Sequence, residues 1–171
     1  MAAQSAEITP EQRDFRTAMA NLPAGVNIVT TDGPFGKAGI TVSAACSVTD
    51  SPPTVLVCVN RSSYNHDVLT ANRRVCVNVL GADQQDLALH FAGATGLSNE
   101  ERFGGGVCDP AYDDVPVLRE AAVSLIGRIS DVYVHGSHSV VFVAVERVIV
   151  RQDSGGLVYF KRRFHRVDIY G

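Results

Sequence analysis

Residues Ala38–Ser63 read AGITVSAACSVTDSPPTVLVCVNRSS, and the order of apolar runs and breakers in this stretch decides the class of fold. Ala38–Ser47 (AGITVSAACS) is mostly apolar and small, with β-branched residues interspersed, and is predicted as one strand. Asp50–Pro53 (DSPP) interrupts it, because consecutive prolines cannot sit in a central strand. Thr54–Asn60 (TVLVCVN) is apolar almost throughout, the pattern of a strand buried on both faces. Asn60–Ser63 (NRSS) then leads into a predicted helix over Ser63–Asn72.

Working upstream, Gly25–Thr31 (GVNIVTT) is predicted to form a hairpin with Ala38–Ser47 across the turn-forming Asp32–Gly36 (DGPFG). Pro10–Asn21 reads as an amphipathic helix. Thr9 is its N-cap, Pro10 its first residue, and Phe15, Ala18, Met19 and Leu22 its apolar face. Downstream come a strand at Val75–Leu80 and a helix at Asp83–Phe91 capped by Asp83, with Leu87, His90 and Phe91 on one side. Gly93–Asp114 is predicted as loop, with a short helix at Ser98–Phe103. Ala122–Val134 and Ser139–Val150 are two long strands joined by His135–His138 (HGSH), and Leu157–Phe164 is a last strand after the turn Asp153–Gly156. Strands cluster first and last, without the strand–helix alternation of a doubly wound sheet. The expected fold is therefore mainly β (α+β): one antiparallel barrel with a few packed helices. The 171 residues make a single domain, 1–171, with residues 1–9 flexible.

Composition narrows the function classes. Hydrophobic residues at 46% and charged residues at 19% belong to a chain with a real core, not to a disordered one. A net charge of -3 argues against nucleic acid, because a mildly acidic surface is repelled by phosphate backbones. No apolar run is long enough for a membrane span, and Met1–Glu7 lacks the features of a signal peptide, so a cytoplasmic location is expected. Cys46, Cys58, Cys76 and Cys108 form no CxxC pair and are predicted to be buried free thiols. Gly33, Gly36 and Gly39 make GxxGxxG between strands, not the dinucleotide fingerprint. Walker, GxSxG and HExxH motifs are missing. His135 and His138 flank a turn with no nearby carboxylate or cysteine, so no metal site is expected.

Four segments carry polar chemistry, each with a plain alternative. Ser43–Ser47 (SAACS) places small residues where backbone N–H groups can approach a ligand, and the same composition suits tight strand packing. Asn60–Ser63 offers an arginine and two hydroxyls at a helix start, which suits an anion or ordinary helix capping. His138 is a polar group at a strand end, placed to face a ligand. Lys161, Arg162 and Arg163 follow two aromatic residues and serve either a phosphate or a solvated face. Singly, none identifies an activity.

Together these segments resemble the short-chain flavin reductase family, the small reductase components of two-component, flavin-dependent aromatic monooxygenases. The resemblance rests on FRTAMANLPAGVNIVTTDGP at Phe15–Pro34, on the Ala38–Ser63 stretch, and on CVNVL at Cys76–Leu80. It continues through HFAG at His90–Gly93, EERF at Glu100–Phe103, GSH at Gly136–His138 and GLVYFKRRFH at Gly156–His165. Gly104–Tyr112 departs from it in lacking a Trp. The resemblance implies an FMN-binding split β-barrel, a homodimer with flavin near the subunit interface, and hydride transfer from NADH, in preference to NADPH, to FAD or FMN. Reduced flavin would pass, mainly by diffusion, to a separate monooxygenase. It also implies site residues. Ser43, Ala44, Ala45, Cys46 and Ser47 would lie along the isoalloxazine, and Asn60, Arg61, Ser62 and Ser63 near the ribityl phosphate. Arg102 and Phe103 would lie near the flavin, His138 on the nicotinamide side, and Phe160 and Arg163 in a C-terminal motif approaching the cofactor. The competing readings are a non-catalytic flavin-binding barrel, a pyridoxine-phosphate-oxidase-like enzyme, and a purely structural barrel.

Overall fold

Thr9 fixes the first element: its Oγ1 accepts the Gln12 N–H while Gln12 Oε1 accepts the Thr9 N–H, a capping box with Pro10 in the first turn. The computed structural model describes residues 8–169. The expectation of flexibility for residues 1–9 falls mostly on residues 1–7, outside the described residues, and Thr9 is held in its cap. Helix α1 (Pro10–Met19) stops two residues short of the predicted end. Its apolar face is not buried within the chain: Phe15 is 67% exposed.

The predicted first strand is two strands, β1 (Ala24–Gly25) and β2 (Asn27–Thr31). β1 belongs to a three-stranded sheet and β2 to a seven-stranded one. The predicted strand Ala38–Ser47 also divides, into β3 (Ala38–Val42) and β4 (Ala45–Asp50), because the chain bends at Ser43. β5 (Pro53–Asn60), α2 (Tyr64–Asn72), β6 (Arg74–Val79), α3 (Gln85–Phe91) and α4 (Asn99–Arg102) follow. Then come the long β7 (Val123–His135) and β8 (His138–Val150), and last β9 (Gly156–Phe160) and β10 (Arg163–Val167). Asp83 does not cap α3: it pairs with Arg166, and the helix starts after Gln84. The predicted last strand is instead the β9–β10 hairpin, turned at Lys161 and Arg162.

The seven-stranded sheet is antiparallel, in the order β3-β2-β6-β7-β8-β5-β4. Its two edge strands, β3 and β4, are joined by Ser43 and Ala44 alone, so the sheet curls until its edges approach. No ladder joins β3 to β4. Val29, Val57, Val59, Val77 and Val143 pack in the curl. β5 buries only Val57 and Val59 fully, so the expected burial on both faces does not hold. Its Leu56 and Cys58 instead line open grooves. In β7, Gly127 sits at a register shift where a Cβ would lie 2.1 Å from the Ala144 carbonyl oxygen, so only glycine fits.

A buried amide ties these strands together. Asn78 in β6 is fully buried, and its Nδ2 donates to Ile28 O at 3.1 Å and to Thr30 Oγ1 at 3.1 Å, both in β2. Its Oδ1 accepts from Leu118 N and from Ser124 Oγ, each at 3.0 Å. Asn78→Ala strands a buried N–H and a buried hydroxyl, and we expect it to cost about 3 kcal/mol. Urea unfolding measures this; an unchanged midpoint would contradict the assignment.

Candidate active site

The β5–β8 register joins two of the singled-out segments. Asn60, the last residue of β5, pairs across the sheet with His138, the first of β8. The turn between β7 and β8 is Gly136–Ser137, with Gly136 at φ +56, a conformation that favours glycine. Arg61 clamps this turn, its backbone N–H donating to Ser137 O at 2.9 Å and its Nη1 to Gly136 O at 3.2 Å. Ser137 Oγ lies 2.9 Å from His138 Nδ1. With that hydroxyl donating, Nδ1 accepts and Nε2 carries the proton as a free donor. On the other strand, Asn60 Oδ1 accepts from the Ser62 N–H at 3.0 Å and the Ser62 hydroxyl at 2.9 Å. Ser63 caps α2 by accepting the Asn65 N–H at 3.3 Å, so for this residue the capping reading holds.

The Ser43–Ser47 stretch lies alongside. Ala44 O accepts the Cys58 N–H at 2.9 Å, two residues before Asn60. Ser43, Ala44, Cys46 and Ser47 are exposed, so this is not tight strand packing. Ser43 and Ala44 open on a cleft of about 1030 Å³ shared with Cys58, Tyr159 and Arg162. Ala45, Cys46 and Ser47 line a groove of about 260 Å³ floored by Leu56, Val77 and Leu125.

Arg102 reaches the same region through side chains that carried no sequence signal. Asn99 Nδ2 donates to Asn65 Oδ1 at 3.0 Å, in the first turn of α2, and Arg102 Nη1 donates to Asn99 Oδ1 at 3.4 Å. Arg102 Nε is buried without a partner among the described residues. An orphaned cationic donor beside the linked Asn99 and Asn65 amides fits an anionic group of a bound cofactor. His66 of α2 holds the β8 start, its Nε2 2.9 Å from Ser139 Oγ and its Nδ1 2.9 Å from Asp67 Oδ1. A polar residue inside a helix pattern gives no hint of its partner 73 residues away.

Phe103, Phe160 and Arg163 sit differently. The Phe103 ring packs edge-on against Phe91 at 5.0 Å, over Gly39, where a Cβ would lie 2.5 Å from the Phe91 ring. Phe160 and Arg163 are cross-strand partners flanking the β9–β10 turn. Their neighbours Tyr159 and Arg162, not they, line the cleft with Ser43 and Ala44.

The cysteines are not uniformly buried. Cys76 is, and burial pushes its thiol up to about 12. Cys58 and Cys108 are half-buried and also shifted up, chiefly by desolvation, while Cys46 is exposed. Among the described residues no group of His, Cys, Asp and Glu is gathered for a metal, and no helix is long and apolar enough to cross a membrane.

Comparison with known proteins identifies the family. Residues 19–168 match the flavin reductase like domain, and the chain belongs to that family. It is 46% identical over 161 residues to the 4-hydroxyphenylacetate 3-monooxygenase reductase component of Pseudomonas aeruginosa, covering 94% of this chain and 95% of that one. It is also 46% identical to the FMN reductase (NADH) RutF of Stutzerimonas stutzeri, over 90% of this chain and 87% of that one. Among solved structures, it superposes with a TM-score of 0.82 on the NADH:FAD oxidoreductase SgcE6 of Streptomyces globisporus in complex with NAD and FAD fragments. That match has 28% identity and covers 98% of this chain and 99% of that one.

The exposed Cys46 should react fast with a chromogenic disulfide reagent at mildly alkaline pH, and Cys76 only after unfolding. Retention of the fast phase in Cys46→Ser would contradict the placement.

Proposed function

We propose that this chain is a flavin reductase that passes hydride from NADH to FAD or FMN and supplies the reduced flavin to a separate aromatic monooxygenase. The observation that carries the reading is the Asn60–His138 pair. It sets the NRSS and GSH segments side by side, one strand from Ala44, in a chain of the flavin reductase like family. When bound, NADH supplies hydride at its nicotinamide carbon and the flavin accepts it at a ring nitrogen. No side chain has to take or give a proton in that step.

The work left to the protein is placement. Ser43, Ala44, Ala45, Cys46 and Ser47 present a shallow, small-residue surface for a flat ring. Asn60, Arg61, Ser62 and the start of α2 hold the ribityl phosphate, with Arg102 as a further cation. His138 Nε2–H donates to the nicotinamide cofactor, and Arg61, through the Gly136–Ser137 turn, keeps it in place. Phe103 acts by packing against Phe91 beneath the site, and Phe160 and Arg163 by shaping the β9–β10 turn.

The curled sheet, with its two edges joined by Ser43–Ala44 but unpaired, supports assignment to the FMN-binding split-barrel type, one domain spanning the chain. The exposed apolar face of α1 and the open groove beside Ala45–Ser47 support a homodimer that covers part of them. Four unpaired thiols suit the reducing cytoplasm.

Purified protein should oxidise NADH rapidly with added FAD or FMN and not without flavin. His138→Ala should keep its fold and flavin binding but lose about tenfold in turnover, or ~1.4 kcal/mol of barrier. Flavin binding with no NADH or NADPH oxidation would overturn the enzymatic reading in favour of a flavin carrier. Unchanged turnover in His138→Ala would remove that residue's role.

A further inference from the structure

Residues 131–138, at the end of the β7–β8 hairpin, are all exposed, and Ser139 is the first buried residue after them. On the outer side of β7 the ladder to β6 ends at Arg128, and Arg73 reaches no further than the Ser130 carbonyl oxygen. Among the described residues the hairpin end therefore projects with β5 as its only strand neighbour, through Val59 opposite Ser139 and Asn60 opposite His138. With so few buried contacts, this end, which carries His138, has to be ordered by specific ties.

One tie is Arg61 on the Gly136–Ser137 turn; the other comes from α2. Ser139 is fully buried, so its hydroxyl needs a partner. Among the described residues its Oγ meets His66 Nε2 alone, at 2.9 Å. Asp67, an acceptor only, lies 2.9 Å from His66 Nδ1, so Nδ1 carries the proton, Nε2 accepts and the Ser139 hydroxyl donates. The order Ser139, His66, Asp67 is that of a hydrolytic triad. A hydroxyl with no exposure is out of reach of a substrate, however, so the trio is a joint and not a nucleophile. The His66 side chain is 12% exposed and abuts the apolar interior beside Val59, Leu69 and Val141, which shields the bond from water.

The same turn of α2 is also tied the other way. Ser63 caps it, and Asn65 Oδ1 accepts from Asn99 Nδ2, while Asn99 Oδ1 accepts from Arg102. Asn65 and His66 are adjacent, so one turn of helix is joined both to the proposed phosphate-holding groups and to the strand that carries His138. We infer that His66 is a positioning residue: by holding Ser139 it couples the flavin side of the site to the nicotinamide side. The inference rests on the proposed reductase reading for which cofactor lies on each side. Flavin at the start of α2 orders His66, and His66 orders the end of the β7–β8 hairpin. The nicotinamide cofactor then meets a His138 already in place, and less freedom is lost on binding. Linkage makes the effect reciprocal, so the nicotinamide cofactor tightens flavin binding by the same factor.

The test measures FMN affinity by fluorescence titration with and without saturating NAD+, an oxidised pair between which no hydride moves. It uses the full chain unaltered, His66→Ala, Ser139→Ala, the double variant and His66→Gln, each checked for folding by thermal unfolding. NAD+ should tighten FMN binding to the unaltered protein. Each alanine variant should cut that tightening about fivefold, the loss of one hydrogen bond, and the double variant should cut it no further. His66→Gln should keep it, because glutamine places an acceptor oxygen as far along its side chain as Nε2. Any contact between the two rings is common to all five proteins. Absence of tightening in the unaltered protein overturns the inference, as does an additive loss in the double variant. Tightening that survives in both alanine variants overturns it too, even if their melting temperatures fall, since a merely structural bond predicts that result. Should His66→Ala not fold, Ser139→Ala set against His66→Gln decides. Flavin-dependent NADH oxidation by the unaltered protein is followed separately. Its absence, with the coupling present and dependent on His66, would sink the reductase reading and leave the role of His66 standing; oxidation without coupling overturns the inference alone.

Discussion

Asn78 is the constraint on which the sheet depends. A fully buried amide has four hydrogen-bonding positions to satisfy, and an alternative packing that left them open would cost more than most single contacts contribute. Here they are met by β2 on one side and by Ser124 of β7 and the Leu118 backbone on the other. Because β6 lies between β2 and β7, one side chain locks the relative register of three strands. A slip of one residue would break these bonds and turn each strand's buried set outward.

That register is transmitted to the site by pairing alone. β7 turns back as β8 through Gly136–Ser137, and β8 pairs with β5 so that His138 meets Asn60. Gly127 lets β7 pass close beneath β8 at its register shift. The polar segments therefore converge because the strands that end in them are fixed elsewhere. The few contacts they make among themselves, Arg61 to the Gly136–Ser137 turn and His66 to Ser139, hold an arrangement the sheet has already made.

The chain's sequence shows its elements more clearly than its joints. The helix cap at Thr9, the Asp32–Gly36 turn and the long β7 and β8 runs are all legible from local chemistry. The breaks at Val26 and at Ser43–Ala44 are not, because apolar and small residues continue across them and only pairing with different partners divides the strands. The Lys161–Arg162 turn is hidden for a different reason: two long basic residues occupy left-handed backbone positions that glycine or asparagine normally signal. In the site, Asn60, Arg61 and His138 stand out by composition, while Asn65, His66 and Asn99 acquire meaning only from partners distant in sequence. The half-burial of Phe103 and the exposure of Cys46 depend on which face of the sheet is covered, which strand composition does not encode.

The central claim is that this fold places a nicotinamide and a flavin so that hydride passes directly between them. Anaerobic rapid mixing of the protein, NADH and flavin tests it most directly, by following the absorbance of both cofactors at once. Equal loss of NADH and of oxidised flavin, one for one and with no oxygen present, is the result this structure predicts. NADH consumed while the flavin stays oxidised, or neither changing, would contradict it.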